Sequence, residues 1–379
     1  LRGSIRDAVS GATVAAKVRV VGHTGQVIHP RDSLRKVGSG DEFFYCSGEF
    51  SVPVPGGKTD VIIERGTEYK PLHRSLSTPA TGATEVDFEL HRWIDLPEQG
   101  WYPGNTHIHY NELETRPDER LRLDPEVNDL SLTAISVLQR GEIPYASNRY
   151  PPGFLTDFST DHRQVICGEE TRHNSLYGGG YGHVMLLNLR NLVEPVSRGD
   201  LVSAFDPDYP PLCHACDDAR TQGGLVIWCH NGNGMEAPVA AALGKLDAFN
   251  MFDPCWKSSE YGMWYQLLNC GIRLPASTGS DWYICSNNRV YVDTQQAFTY
   301  KSWLEGLRDG RSFITNGPSL MFSVNGEGPG SQLGPGRCSV HLEWLSHLPL
   351  THVEIVADGL VVERRELTGD EGREGHWQG

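Results

Sequence analysis

Residues 101–110 read WYPGNTHIHY, and this predicted strand finishes with two histidines two positions apart. In an extended segment, residues two apart point to the same face, so His107 and His109 can reach one metal ion. An isolated HxH is a weak signal, because a histidine at a strand end more often satisfies a backbone carbonyl. The rest of the chain therefore decides how this strand is interpreted.

Further predicted strands carry metal-ligand residue types at their ends. These residues are Glu170 at the end of QVICGEE, His183 at the start of HVMLLNL, His230 after LVIWC, and Asp281 at the end of ASTGSD. In a parallel barrel the carboxyl ends of the strands share one face, so distant side chains converge there. Imidazole suits Zn, Fe and Mn, and a carboxylate can bridge two ions. The joint pattern predicts a site for two divalent ions.

Between residue 101 and about residue 318, short apolar strands alternate with helix-like segments. The predicted strands are TAISVL, QVICGEE, HVMLLNL, GLVIWCHN, AFNMF and IRLPASTGSD, and the predicted helices are DDARTQ, residues 238–243, GMWYQLLNC and SWLEGLRDG. This alternation predicts βα units around a parallel sheet. The length fits a barrel, since such folds need about 200–250 residues.

The flanking segments have strand patterns instead. Before residue 92, alternating apolar positions and turn residues predict a small all-β sandwich. After residue 319, VEIVADGLVVE has a hairpin turn at Asp358-Gly359, which predicts a second β module. The final GDEGREGHWQG is polar and glycine-rich, so we expect it to fray. The predicted domains are residues 1–92, 93–318 and 319–379.

Composition limits the partners and the compartment. The net charge of −15, with no stripe of Lys or Arg, argues against nucleic acid. No run of about 18 apolar residues exists, so we expect no membrane span, and the first residues lack a signal pattern. The nine cysteines are scattered singly, which favours free thiols in a reducing, cytoplasmic setting. The one CxxC, at residues 213–216, has no second pair to complete a zinc site.

Five motifs resemble the CehA/McbA (carbaryl-hydrolase-like) branch of the PHP (polymerase and histidinol phosphatase) metallohydrolase superfamily. They are GWYPGNTHIHY, CGEETRHN…GYGHVMLL, QGGLVIWCHN, LLNCGIRLPASTGSDW and RSFITNGPSL. The resemblance implies an α/β fold with a distorted (β/α)7 PHP/amidohydrolase-like barrel and two metal ions (Fe, Mn or Zn). Through GSIRDAVSGATVAAKVRV and FSVPVPGGKTDVIIERGTEY, residues 1–92 resemble a carboxypeptidase-regulatory-like β-sandwich.

The resemblance also implies a ligand assignment. One metal would be held by His107, His109 and Asp281, the second by His183 and His230, with Glu170 bridging the pair. Glu169 is the rival for the bridge and ranks second, because neighbours on a strand point to opposite faces. Trinuclear relatives carry extra histidines where this chain reads YNELE (110–114) and DWY (281–283), so we expect no third ion.

Two such ions would activate a water and polarise the electrophile, which amounts to hydrolysis in its simplest form. We expect Glu170 and Asp281 to be the catalytic carboxylates, with Asp281 as proton acceptor, although Asp281 as a ligand only is an equal alternative. An iron pair could instead activate O2, since the donor set mixes imidazole and carboxylate. The sequence does not decide the metal.

Aromatic residues adjoin the predicted ligands, namely Tyr110, Trp228, Trp282 and Tyr283. A phosphate-rich substrate would call for cationic clamps, so the pattern favours an uncharged or weakly anionic, largely apolar small molecule. Core packing is the commoner role for such aromatics. Three residues stay open as carboxylate or phosphate contacts: Arg172, Arg273 and Arg289. The glycines at 178–180 are either a mobile lid or a simple turn.

Three hypotheses follow from the sequence. The first is a metal-dependent hydrolase of an ester, carbamate, amide or phosphoester in a hydrophobic small molecule. The second is a non-heme di-iron oxygenase on the same scaffold, a monooxygenase that hydroxylates a hydrophobic small molecule. The third is a non-catalytic barrel and sandwich protein that binds a ligand or partner. The sequence does not indicate an oligomeric state.

Overall fold

The computed structural model describes residues 1–38, 41–138, 144–175, 180–194, 198–199, 209–230, 234–253 and 258–379. The chain forms two compact units, one of Leu1–Gln99 with Arg116–Leu130 and one of Gly100–Thr115 with Ser131–Gly379. The domain limits at residues 92 and 318 stay predictions. None of the described helices combines the length and the apolar character that a membrane crossing requires.

The first unit contains a sheet with one antiparallel and one parallel pair of strands, a larger antiparallel sheet and helix α1. Strands β1 to β9 are Arg2–Asp7, Ala16–Gly22, Val27–Ile28, Arg35–Gly38, Asp41–Cys46, Glu49–Ser51, Gly57–Glu64, Leu72–Thr78 and Glu85–Leu90, and helix α1 is Pro117–Val127. The strand orders are β6-β1-β9 and β4-β5-β2-β7-β8, with β3 beside β2. Ile5 and Phe88 of the first sheet share one core with Val18 and Ile63 of the second. The alternating sequence pattern therefore corresponds to a sandwich.

The second unit contains the remaining strands and helices. Strands β10 to β24 are Trp101–Ile108, Leu132–Leu138, Gly153–Phe154, Gln164–His173, Gly182–Leu187, Leu225–Trp228, Ala248–Asn250, Ala276–Ser277, Arg289–Asp293, Ser312–Thr315, Ser319–Val324, Val340–Leu345, His352–Ala357, Leu360–Glu366 and Glu374–Gln378. Helices α2 to α5 are Leu212–Thr221, Ala237–Ala242, Ser258–Asn269 and Tyr300–Asp309.

A large, nearly closed barrel-like sheet dominates this unit. Its strand order is β17-β16-β15-β14-β13-β11-β10-β18-β19, with β12 beside β13. The chain after β17 turns back onto β10, where Asp281 forms a parallel bridge with Ile108 and the N–H of Thr106 donates to the carbonyl of Thr278. In coarse terms, the predicted α/β class and barrel are confirmed.

Strand direction departs from the expected parallel sheet at β12, β14, β18 and β19; β12 runs antiparallel to β13. Strand β14 runs antiparallel to both β13 and β15, and β18 and β19 are antiparallel to their neighbours. The parallel prediction is wrong there, because only a short connection separates His173 from Gly182, and a parallel crossover needs a dozen or more residues. Consequently β14 begins at the barrel end where the parallel strands finish. His183, its second residue, lies at that end.

The barrel strands bury both faces, as their apolar sequences require. Val184 and Val226 pack in a cluster with residues of helices α2 and α3. Met185 and Ile227, one position further along each strand, belong to a second cluster that includes Trp303 of α5.

The C-terminal segment forms two further sheets, β20-β21-β24 and β22-β23. Asp358 and Gly359 adopt φ values of 54° and 74° in the predicted hairpin turn. The expectation of a frayed end is wrong, because β24 pairs with β21 along its length. Trp377 supplies the apolar anchor, since it packs with Leu342 and Trp344.

Candidate metal centre

The two histidines of the HxH lie side by side at the end of β10. His107 and His109 are completely buried, and their Nε2 atoms are 3.0 Å apart. Both imidazoles point to one face of the strand, as the spacing predicts.

Two carboxylates complete a first group of donors with these histidines. Glu170 Oε2 lies 3.0 Å from His109 Nε2 and 3.7 Å from His107 Nε2. Asp281 Oδ1 lies 3.6 Å from His107 Nε2 and 3.7 Å from His109 Nε2. All four residues are buried, and one ligand atom from each lies within 4.8 Å of the others.

The second oxygen of Glu170 belongs to another group of donors. Glu170 Oε1 lies 3.0 Å from His183 Nδ1 and 3.5 Å from His230 Nε2. The two imidazole nitrogens are 3.4 Å apart. Asp281 Oδ2 also approaches His230 Nε2, at 3.6 Å. The structure thus brings together all six residues predicted as metal ligands, and it divides the oxygens of both carboxylates between the two groups.

Hydrogen bonds on the outer side of the histidines fix which nitrogen faces the cluster. His109 Nδ1 donates to the carbonyl of Ser136 at 3.0 Å, and His183 Nε2 donates to Asn174 Oδ1 at 2.9 Å. These oxygens only accept, so the outward nitrogen of each ring carries a proton, and in the neutral form of the ring the inward nitrogen has the lone pair that a metal requires. Such partners orient metal-binding histidines in proteins.

The partner of His107 is a residue that the sequence reasoning missed. Asp253 Oδ2 lies 2.9 Å from His107 Nδ1 and accepts a hydrogen bond from Asn250 Nδ2 at 3.0 Å. Asp253 is completely buried. It follows the predicted strand AFNMF directly, so the strand-end rule that selected Asp281 would have found it.

Buried oxygen atoms without partners test whether a metal fits here. Within the described ranges of the chain, Glu170 Oε1 and Asp281 Oδ1 are buried and form no hydrogen bond, although histidines surround them. A buried acceptor without a partner costs about 1–3 kcal/mol, and more if it is charged. Cations between the imidazoles and these oxygens would remove that cost, and the donor set suits divalent transition metals. The residues present therefore fit metal ions.

The electrostatics of the cluster favour an ionised glutamate. Burial would raise the pKa of Glu170, but the four histidines that surround its carboxylate hold it well below the usual range. Burial lowers the pKa of His183 to about 4, so this ring is neutral near pH 7. Burial would also lower the pKa of His107, but the charges of Asp253 and Asp281 raise it well above its ordinary value. Burial raises the pKa of Asp281.

Glu169 and Cys229 adjoin two candidate ligands in sequence, and burial raises the pKa of both side chains. Glu169 Oε2 accepts the N–H of Val193 at 2.9 Å, on the opposite side of β13 from Glu170, and burial raises its pKa to about 7. Cys229 forms a third potential donor group with His107 and His230. Burial raises the pKa of this thiol to about 12, so it is protonated near neutral pH.

Aromatic rings lie beside the first group of donors. The Trp282 and Tyr145 rings lie 5.8 and 6.2 Å from the ring of His109, and Tyr145 stacks on Tyr283 at 6.3 Å. Trp282 and Tyr283 are partly exposed. Tyr145 was missed, because it stands in an irregular segment without a pattern that would single it out.

The other residues predicted to contact substrate have varied positions. Tyr110 and Trp228 are completely buried, and Trp228 packs in the hydrophobic cluster around Val184. Arg273 and Arg289 donate to backbone carbonyls, whereas Arg172 lies beside Trp282. The substrate contacts stay predictions. The proposed lid glycines 178 and 179 lie outside the described residues.

Comparison of the chain with protein-family models gives no match, and comparison with curated proteins gives none either.

Proposed function

We propose that this protein is a dinuclear-metal hydrolase that cleaves an ester, carbamate, amide or phosphoester bond in a hydrophobic small molecule. One observation carries the proposal. The two oxygens of Glu170 lie 3.0 Å from nitrogens of two different histidines, His109 and His183. A carboxylate placed in this way can bridge two cations, each of which also has imidazole donors.

The chemistry of the site follows from its donors. Two divalent ions supply Lewis acidity and an activated water when they are bound. His107, His109 and Asp281 would hold one ion, His183 and His230 the other, and Glu170 would serve both. Asp281 is buried beside His107 and His109, and among the described residues its Oδ1 has no hydrogen-bond partner. This carboxylate is therefore suited to accept a proton from the attacking water.

The surroundings favour an apolar substrate. Tyr145, Trp282 and Tyr283 present stacked or tilted rings next to His109. Aromatic side chains bind apolar groups with large contact areas. We therefore propose a substrate with an aromatic or other hydrophobic group next to the bond that is cleaved.

We also propose that the barrel is a distorted (β/α)7 barrel of the PHP type. Support comes from β10, β11 and β13 to β17, which follow each other in one sheet, and from the bridge between Ile108 and Asp281 that joins the first strand to the end of the last. The ligand residues lie at one end of these strands, as in other barrel enzymes.

Metal content and turnover test the proposal together. The purified protein is analysed for bound metals and assayed with 4-nitrophenyl esters, carbamates and phosphoesters, before and after removal of metal by a chelator. About two equivalents of zinc or manganese, with hydrolysis that Asp281→Ala abolishes, support the hydrolase. Two irons with O2-dependent turnover would support the oxygenase instead. Absence of stoichiometric metal would leave a non-catalytic binding protein.

A further inference from the structure

Arg172 points to the same side of the barrel sheet as the metal-binding residues. It lies two positions after Glu170 on β13, so both side chains lie on one face of the strand. Across the sheet it stands directly opposite His183 in the register of β13 and β14. Directly opposed residues project to the same face. The guanidinium group is therefore next to the candidate metal centre.

This arginine is buried, and no residue in the described part of the chain forms an ion pair with it. Only 6% of Arg172 is exposed, and its Nε is buried and has no hydrogen-bond partner. Among the described residues, its guanidinium forms neither an ion pair nor a hydrogen bond. It makes a cation-π contact with the Trp282 ring, whose centroid lies 5.8 Å from Arg172 Cζ. An unpaired buried charge is costly, so natural proteins rarely keep one without a partner.

A second buried arginine of the same unit, Arg289, differs from Arg172 in its hydrogen bonds. Arg289 is 1% exposed, and its Nη1 donates to the carbonyls of Ser286 and Asn288 at 2.5 and 2.7 Å. Its hydrogen-bonding capacity is thus used within the fold. Arg172 is nearly as buried, and in the described part of the chain no group accepts a hydrogen bond from its Nε.

We infer that Arg172 binds an anionic oxygen group of the substrate, such as a carboxylate, while the neighbouring aromatic rings contact an apolar part. This inference rests on the proposed function and narrows its substrate class to hydrophobic acids or their close analogues. A guanidinium matches a carboxylate with two parallel N–H···O bonds. The Trp282 ring, beside both Arg172 and His109, places the apolar contact next to the anion site.

Benzoate is a suitable probe, because it joins one carboxylate to one aromatic ring, and benzamide is its neutral counterpart. Binding is measured by calorimetry with wild type, Arg172→Met and the control Arg190→Met, which removes an exposed arginine at the far end of β14. Each protein is tested metal-free and after addition of zinc, with metal content determined separately. We expect wild type and Arg190→Met to bind benzoate at least tenfold more tightly than benzamide. Arg172→Met should lose at least tenfold in benzoate affinity at unchanged metal content.

Thermal unfolding measurements show whether a loss of benzoate binding in Arg172→Met comes from the missing guanidinium or from a failure to fold. Removal of an unpaired buried charge should leave the midpoint of thermal unfolding unchanged or higher in Arg172→Met. If this variant does not fold, Arg172→Lys replaces it, and this variant should bind benzoate more weakly than wild type because lysine lacks the two-pronged geometry. Equal benzoate affinity in wild type and the Arg172 variants overturns the inference, as does equal binding of benzamide and benzoate.

The outcome for Arg172 is separable from that of the proposed function. Benzoate binding that depends on Arg172 in a protein without stoichiometric metal would support the inference and contradict the hydrolase. Metal-dependent hydrolysis of neutral esters, combined with benzoate binding that is independent of Arg172, would support the hydrolase and overturn the inference.

Discussion

Asp281 and His107 are joined through both their main chains and their side chains. The N–H of Asp281 donates to the carbonyl of His107 at 2.9 Å, and Asp281 Oδ1 lies 3.6 Å from His107 Nε2. Asp281 has a φ of 54°, in the left-handed region that aspartate tolerates better than most residues. Unusual backbone of this kind concentrates at functional sites. The contact that brings the sheet close to closure therefore also positions two of the candidate ligands.

Replacement of either residue by alanine should remove metal without unfolding the chain. His107→Ala and Asp281→Ala each delete a donor from the first group, and a site that loses a ligand loses most of its affinity. We expect metal content to fall from about two equivalents to about one or less, as measured by elemental analysis, because the second group of donors remains. Far-ultraviolet circular dichroism should stay close to wild type.

A surface histidine provides the matched control for this experiment. His162 is exposed, and His162→Ala should bind metal as wild type does. Full metal content in His107→Ala and Asp281→Ala would show that the ligand assignment is wrong.

The sequence predicted the candidate site better than it predicted the sheet. The six candidate ligands, which the structure brings into one cluster, could be selected because each combines a metal-binding side chain with a position at a strand end. The direction of β14 could not be predicted, because hydrophobic pattern alone does not distinguish a parallel from an antiparallel buried strand. His183 still reaches the cluster, since the start of an antiparallel strand lies at the end of its parallel neighbours.

Contacts between side chains were harder to foresee than strand ends. Asp253 has the same sequence signal as Asp281 and was missed because its role depends on the direction of one imidazole nitrogen. Arg172 is one of three candidate arginines, but only its burial without a hydrogen-bond partner for Nε among the described residues distinguishes it from Arg273 and Arg289. Such properties arise from packing in three dimensions.

Asp253 should raise metal affinity by holding His107. In Asp253→Ala, His107 Nδ1 loses its partner, and loss of such an outer contact typically lowers metal affinity 10- to 100-fold. Asp253→Asn keeps an accepting oxygen and should fall between wild type and the alanine variant. Competition with a chromophoric chelator measures the affinities. Wild-type affinity in Asp253→Ala would contradict a positioning role.

Thiol reactivity should divide the described cysteines into two classes. Cys270 and Cys338 are exposed, and we expect iodoacetamide to modify both in the native protein, because the reagent can reach their sulfur atoms. Burial raises the pKa of Cys46 to about 11 and that of Cys167 to about 12. These thiols stay protonated until the pH approaches those values, so they should react only after denaturation. Peptide mass spectrometry measures the modification, and rapid native labelling of Cys167 would contradict the packing of β13.

A glycine at position 279 should be required for stability and metal affinity, because the backbone there passes close to His107. A Cβ at this position would lie 2.6 Å from the Cβ of His107 and 3.0 Å from Asp253 Oδ2. Both neighbours are completely buried and cannot move aside easily. We expect Gly279→Ala to lose about 1–3 kcal/mol of unfolding free energy in urea, as overpacked cores do, and to bind metal more weakly. At Gly317 a Cβ would meet nothing within 4 Å, so Gly317→Ala should change stability by less than about 0.5 kcal/mol. Unchanged stability and metal affinity in Gly279→Ala would contradict the close approach of the chain after β17 to β10. They would also contradict the main-chain contact between Asp281 and His107, which depends on that approach.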